Sequence, residues 1–165
     1  MNDYFKDLLE IMDKESQLYS ELTRVEEQKK KIIIENDVKA LDAITKKEQG
    51  FVKAIVNLES LRAQVVDGFC NFKGISKIDR IDEVMEHLNP EEKLQLEEKR
   101  DKLSTVINGI LQVNDLNAKL LNQSIEYIDY TMELTRSLIE EEAGYAENAK
   151  DKTVKVDKNL FDVKI

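Results

Sequence analysis

Apolar residues recur along this chain at alternating steps of three and four, from near the N-terminus to about residue 142. That spacing keeps one side of a helix apolar and marks helices that pack lengthwise. The longest run opens with clear start signals. Asn89 suits an N-cap, Pro90 the first helical position, and Glu91 and Glu92 the electropositive first turn. Beyond it, Leu96, Arg100, Leu103, Ile107, Ile110, Asn114, Asn117, Leu121, Ser124, Ile128, Thr131, Thr135 and Leu138 form a heptad-like seam interrupted only by Gly109. A helix over residues 90–142 is predicted. At 1.5 Å per residue it would be roughly 80 Å long, more than a compact domain needs, so it is expected to lie along partner helices.

The remaining elements follow from the same pattern. Asn2 or Asp3 caps a predicted helix over residues 3–34, with Tyr4, Leu8, Ile11, Glu15, Leu18, Leu22, Val25, Lys29 and Ile32 on its seam. Phe5, Leu9, Met12 and Tyr19 add a second ridge, and so broad a stripe suits a bundle of more than two helices. Glu15 and Lys29 lie on the seam, where a charge fixes register or snorkels to the helix edge. Glu35-Asn36-Asp37 is a short break that fits an antiparallel hairpin, although a continuous bent helix is also compatible with it. A second helix is predicted over 38–72, with Glu59 and Arg62 spaced for a surface pair and Gly50 and Gly68 weakening it slightly. Ser76 and Asp79 resemble a capping box for a short helix over 77–88.

The predicted fold class is therefore all-α: an elongated antiparallel bundle or coiled coil of three long helices, one short connecting helix and a flexible C-terminal tail. Residues 1–145 would form the bundle and 146–165 the tail. Helical character fades at Ala143-Gly144-Tyr145, and the lysine- and aspartate-rich end carries few apolar residues, among them Val154, Val156, Leu160 and Phe161. Val154-Lys155-Val156 alternates like a strand but is too short to stand alone.

Composition narrows the function classes. Charged residues make up 36% of the 165, there is one proline and no tryptophan, and the formal net charge is -9. A general nucleic-acid binder needs a basic face, so nucleic acid is not an expected partner. No apolar run is long enough to span a bilayer, and the N-terminus lacks signal-peptide features, which predicts a cytoplasmic protein without membrane insertion. The single cysteine, Cys70, cannot form an internal disulfide and is expected as a buried structural thiol.

His87 is the only histidine, so a histidine-based triad and a Glu-x-x-His di-metal bundle are not available. No phosphate-binding loop, dinucleotide-binding turn or Cys-x-x-Cys occurs. The sequence thus predicts no enzyme, no cofactor and no metal site. Asn114, Asn117 and Ser124 place polar groups on the seam of the long helix, where they set register across the bundle or loosen it for a partner.

Taken together, several stretches resemble the flagellar export chaperone family FlgN. They are Glu35-Asn36-Asp37-Val38-Lys39-Ala40-Leu41-Asp42-Ala43-Ile44, Lys47-Glu48-Gln49, Leu58-Glu59-Ser60-Leu61-Arg62, and Asn114-Asp115-Leu116-Asn117 followed by Leu120-Leu121, Ser124 and Tyr127-Ile128. The resemblance covers roughly residues 4–140. It implies a helical, non-enzymatic chaperone of flagellar type III export. Such a chaperone binds hook–filament junction proteins of the FlgK/FlgL type, prevents their premature assembly and aids delivery to export apparatus components.

The resemblance places client binding in the C-terminal part. An amphipathic helix there could cover a client helix with apolar residues at i, i+3, i+4 and i+7. The expected contact residues are Ile125, Ile128, Met132, Leu138 and Tyr145, joined by Leu160 and Phe161 of the tail. Packing of Ile128 and Leu138 against the first two helices is the competing expectation. A coiled-coil scaffold or oligomerisation module without a client is the alternative function, and the protein is expected as a monomer or homodimer.

Overall fold

The computed structural model describes the backbone of residues 3–148 and the side chains of residues 3–145. The described chain is all-α, with α1 at Asp3–Glu35, α2 at Val38–Lys73, α3 at Ile81–Met85 and α4 at Pro90–Asn148. It divides into two compact units, the first ending at Ser124 and the second beginning at Ile125.

In the first unit, α1 and α2 form an antiparallel hairpin, which decides between the two arrangements open to the Glu35–Asp37 break. Asn36 takes the left-handed conformation with φ 55°, as an asparagine at a helix end can. Asp37 then caps α2 by accepting from the Ala40 amide at 2.9 Å. Cross-helix pairs record the antiparallel register. Glu15 meets Arg62, Tyr19 meets Glu59 and Lys29 meets Glu48, so partners on α2 fall in number as those on α1 rise. α4 runs the other way, parallel to α1, because Asp13 meets Lys99 and Glu26 meets Asn117.

Gly74, at φ 68°, ends α2 in the left-handed conformation, where glycine carries no Cβ penalty. Gly68 answers a different demand. A Cβ there would lie 2.5 Å from the Tyr4 ring, so this position is one of close helix approach.

The helix expected over residues 77–88 is confined to Ile81–Met85, and Ser76 does not open it. Its N-cap position is Arg80, in extended conformation and without a side-chain cap bond. Ile78 reaches the core from the extended segment, so its burial needs no helix. The real capping box lies one element later. Asn89 accepts from the Glu92 amide at 2.9 Å, and Glu92 accepts in return from the Asn89 amide at 3.3 Å, which starts α4. At its other end α4 passes through Gly144 to Asn148, where flanking alanines and glutamates favour helix enough to carry one glycine.

Two apolar clusters hold the first unit together. Phe5, Leu8 and Met12 of α1 pack with Val66, Phe69 and Cys70 of α2, Val84 and Met85 of α3, and Leu96 and Leu103 of α4. Leu22 and Val25 pack with Ile44, Ile55 and Ile110 further along. Each fully buried large side chain here contributes about 1.5–3 kcal/mol relative to exposure. Cys70 lies inside the first cluster, which accounts for it as a packing residue.

Polar side chains interrupt this core. Glu15 is buried beside Arg62, whose Nε donates to it at 3.0 Å. Arg62 therefore serves the helix–helix contact with Glu15, in place of the expected surface pair with Glu59. Lys29 bridges Glu48 at 2.7 Å and Glu26 at 3.6 Å. Both seam charges of α1 are thus paired across the hairpin. On α4 the buried line is Leu96, Leu103, Ile110 and Asn117, one residue in seven. Asn117 donates to Glu26, as a register-setting asparagine should, whereas Asn114 is exposed and Ser124 only partly buried.

Candidate partner-binding surface

The second unit is described through the C-terminal part of α4. Its sequence is strongly helical, with Met132, Leu134, Arg136, Leu138 and the Glu140–Glu142 run. Hydroxyl groups that would otherwise compete with the helix are returned to it. Thr131 donates to the Tyr127 carbonyl, Thr135 to that of Thr131, and Ser137 to that of Leu134, each at 2.8 Å.

Its apolar side chains stand in the open. Ile125, Tyr127, Ile128, Tyr130, Met132, Leu134, Leu138, Ile139 and Tyr145 are all exposed, from 40% for Ile139 to 78% for Tyr145. Single exposed apolar residues are ordinary, but so many within 21 residues form a continuous surface. At 3.6 residues per turn eight of the nine sort into two ridges about 130° apart, with Tyr130 outside both. Ile125, Ile128, Met132 and Ile139 make one ridge, and Tyr127, Leu134, Leu138 and Tyr145 the other. Ser124, Thr131, Thr135 and Glu142 run between them. The opposite side carries Glu126, Asp129, Glu133 and Glu140.

The residues expected at a client surface are therefore split. Ile125, Ile128 and Met132 share a ridge, while Leu138 and Tyr145 fall on the other. All five are exposed. Leu160 and Phe161, like the strand-like Val154–Val156, lie outside the described residues. Tyr127, Tyr130, Leu134 and Ile139 share this exposure and were not among the expected residues. Aromatic and aliphatic residues at steps of seven and four beside the first stripe were the available sign.

Three perturbed titrating groups lie elsewhere, at helix contacts. Burial pushes the Glu15 carboxyl above its ordinary value, against the pull of Arg62. Burial likewise raises Glu26, opposed by the Asn117 hydrogen bond and by Lys29. The Tyr19 phenol is pushed up to about 12 by burial and by the Glu59 carboxylate that accepts its proton at 3.1 Å. These groups serve helix pairing. Among the described residues no group of three or more histidine, cysteine or acidic side chains could hold a metal ion. No described helix is long and apolar enough to cross a membrane.

Comparison with known proteins settles the family. The family described as "FlgN protein" matches residues 1–153. The chain belongs to the FlgN family. FlgN proteins form a family of flagellar export chaperones, which agrees with a helical protein whose exposed surface suits other proteins. The chain is also 26% identical over 160 residues to the Bacillus subtilis (strain 168) protein described as "Uncharacterized protein YvyG", covering 96% of this chain and 98% of that one. No solved structure matches the chain.

Proposed function

We propose that this FlgN-family protein is a cytoplasmic chaperone of flagellar type III export that binds hook–filament junction proteins through the C-terminal part of α4. It would shield their helical segments from premature assembly and deliver them to the export apparatus. The observation that carries this reading is the run of exposed apolar side chains from Ile125 to Tyr145 on one continuous helix. Leaving that area in water is unfavourable, and covering it with a client helix returns about 25 cal/mol per Å² of apolar surface removed from water. The helix-in-groove mode suits such a face, and Met132 lets it adapt to more than one client sequence. In this reading Leu160 and Phe161, outside the described residues, add to the client contact. No catalytic group and no cofactor take part.

A second reading has the same observation behind it. The exposed face could pair two copies of the chain, making the protein a coiled-coil scaffold. Purified protein mixed with purified junction proteins of the same organism, followed by size-exclusion chromatography with light scattering, separates the two. A stoichiometric complex supports the chaperone. A homodimer that takes up no junction protein supports the scaffold.

A further inference from the structure

We propose that the α4 surface from Ile125 to Tyr145 receives two helices of its client side by side, with basic outer edges, and not a single helix. This rests on the chaperone reading and specifies what kind of segment the client must present.

The width of the apolar arc is the first argument. One packed helix is satisfied by an apolar stripe little more than about 100° wide. Here the arc from Leu134 round to Ile125 spans about 180° at 3.6 residues per turn. The first unit supplies a yardstick for that width. The buried band of α1, from Val25 round through Leu8 to Ser16, also covers about 180°. Two long helices flank it along its length, with Arg62 and Glu48 approaching from α2 and Lys99 and Asn117 from α4, and the short α3 adds Val84 and Met85 near Phe5, Leu8 and Met12. A band of equal width on α4 therefore fits two neighbours, one on each ridge.

The line between the ridges agrees with this. Ser124, Thr131 and Thr135 are small, and the two threonine hydroxyls are already satisfied by their own helix. From Ser124 to Thr135 this line forms the floor under two flanking helices without demanding polar partners from them, and the charged Glu142 lies at its far end.

Charge selects the occupant. From Ile125 to Tyr145 the helix carries Glu126, Asp129, Glu133, Glu140, Glu141 and Glu142 against Arg136 alone. The net acidic character of this stretch favours lysine and arginine on the outer sides of helices seated on the two ridges, Arg136 being the one basic group beside the Ile125 ridge. A second copy of this chain would bring the same acidic row against its twin, which disfavours it.

The test is calorimetric titration of the full-length protein with an intact hook–filament junction protein, comparing two paired substitutions. I128Q/M132Q alters one ridge and L134Q/L138Q the other, with a neutral residue that favours helix at every site. All four side chains are exposed, and far-ultraviolet circular dichroism checks that helix content is kept. Each pair is expected to weaken binding at least about ten-fold, and binding to the unaltered protein is expected to weaken as salt rises. If one pair leaves affinity within about two-fold while the other abolishes it, a single helix binds and the inference is overturned. Salt-independent binding overturns the basic edges. A free protein that is a dimer by light scattering, and becomes monomeric in either variant, makes a second copy the occupant. If the unaltered protein binds no junction protein, the chaperone reading falls together with the inference.

Discussion

The Asn117 side-chain amide donates to both the backbone carbonyl and the carboxylate of Glu26, at 2.9 Å each. Both residues are buried, 91 positions apart in sequence, and they fix the register of α4 on α1. Lys29 and Glu48 complete the surroundings of the carboxylate. Replacing either partner alone leaves buried polar atoms unsatisfied, and that asymmetry makes the pair a strong determinant of one alignment.

Asn117→Ala is expected to lower unfolding free energy by about 1.5–3 kcal/mol, the cost of losing a buried hydrogen bond to a charged group. Asn114→Ala, at an exposed position three residues earlier, is expected to change it by less than about 0.5 kcal/mol. Urea denaturation of the two variants beside the parent checks the contrast. Equal effects would place both asparagines in the same environment and contradict the register assigned to α4.

The burial of Glu26 also has a pH signature. Its pKa is raised in the folded protein, so between the ordinary carboxyl value and that raised value the folded state binds more protons than the unfolded. Stability contributed by the protonated form is present at acid pH and is lost as pH rises through the folded pKa. Glu26→Gln removes this dependence. The melting temperature of the variant relative to the parent should therefore climb as pH is raised from about 4 to 7. A difference that shrinks over that range would mean that Glu26 is held charged at low pH.

Two glycines of α2 should respond in opposite directions. At Gly50 nothing lies within 4 Å of an added Cβ, so Gly50→Ala is expected to stabilise by about 1 kcal/mol through helix propensity. At Gly68 the added Cβ would sit 2.5 Å from the Tyr4 ring and force that ring out of its place beside Phe72. Gly68→Ala is expected to destabilise by about 1–3 kcal/mol, and Tyr4→Ala in the same chain to relieve part of the loss. Thermal melts of the two single variants and the double variant decide it. A stabilised Gly68→Ala would show that the ring moves aside freely.

Long helices and their ends were the legible part of this sequence, because spacing and capping are local properties. The Asn36–Asp37 turn and the Asn89 start follow from residues that act on their own neighbours. The 77–88 segment misled because Ile78, Ile81, Val84, Met85 and Leu88 have helical spacing, while an extended chain lying on the core buries Ile78 equally well. The polar seam of α4 was half right. The fully buried line falls on every seventh residue, so Asn117 is buried while Asn114 and Leu121 rotate outward. Glu26 was not recognisable as buried until its partner was known, since an acidic residue at a helix edge usually faces water. The expected contact residues from Ile125 to Tyr145 lie exposed on α4. The width of the exposed apolar face was not legible, because a heptad seam records one stripe and not a second beside it.

The central claim is that the exposed ridges of α4 are the client-binding surface. The most direct measurement is the affinity of an intact junction protein for the full-length parent and for the fourfold variant I128Q/M132Q/L134Q/L138Q, with melting temperatures recorded alongside. The account predicts at least about a hundred-fold loss of affinity, because several apolar anchors are removed together, with an unchanged melting temperature because none of the four is buried. Undiminished affinity in the fourfold variant would contradict it and send the search for the binding surface elsewhere on the chain.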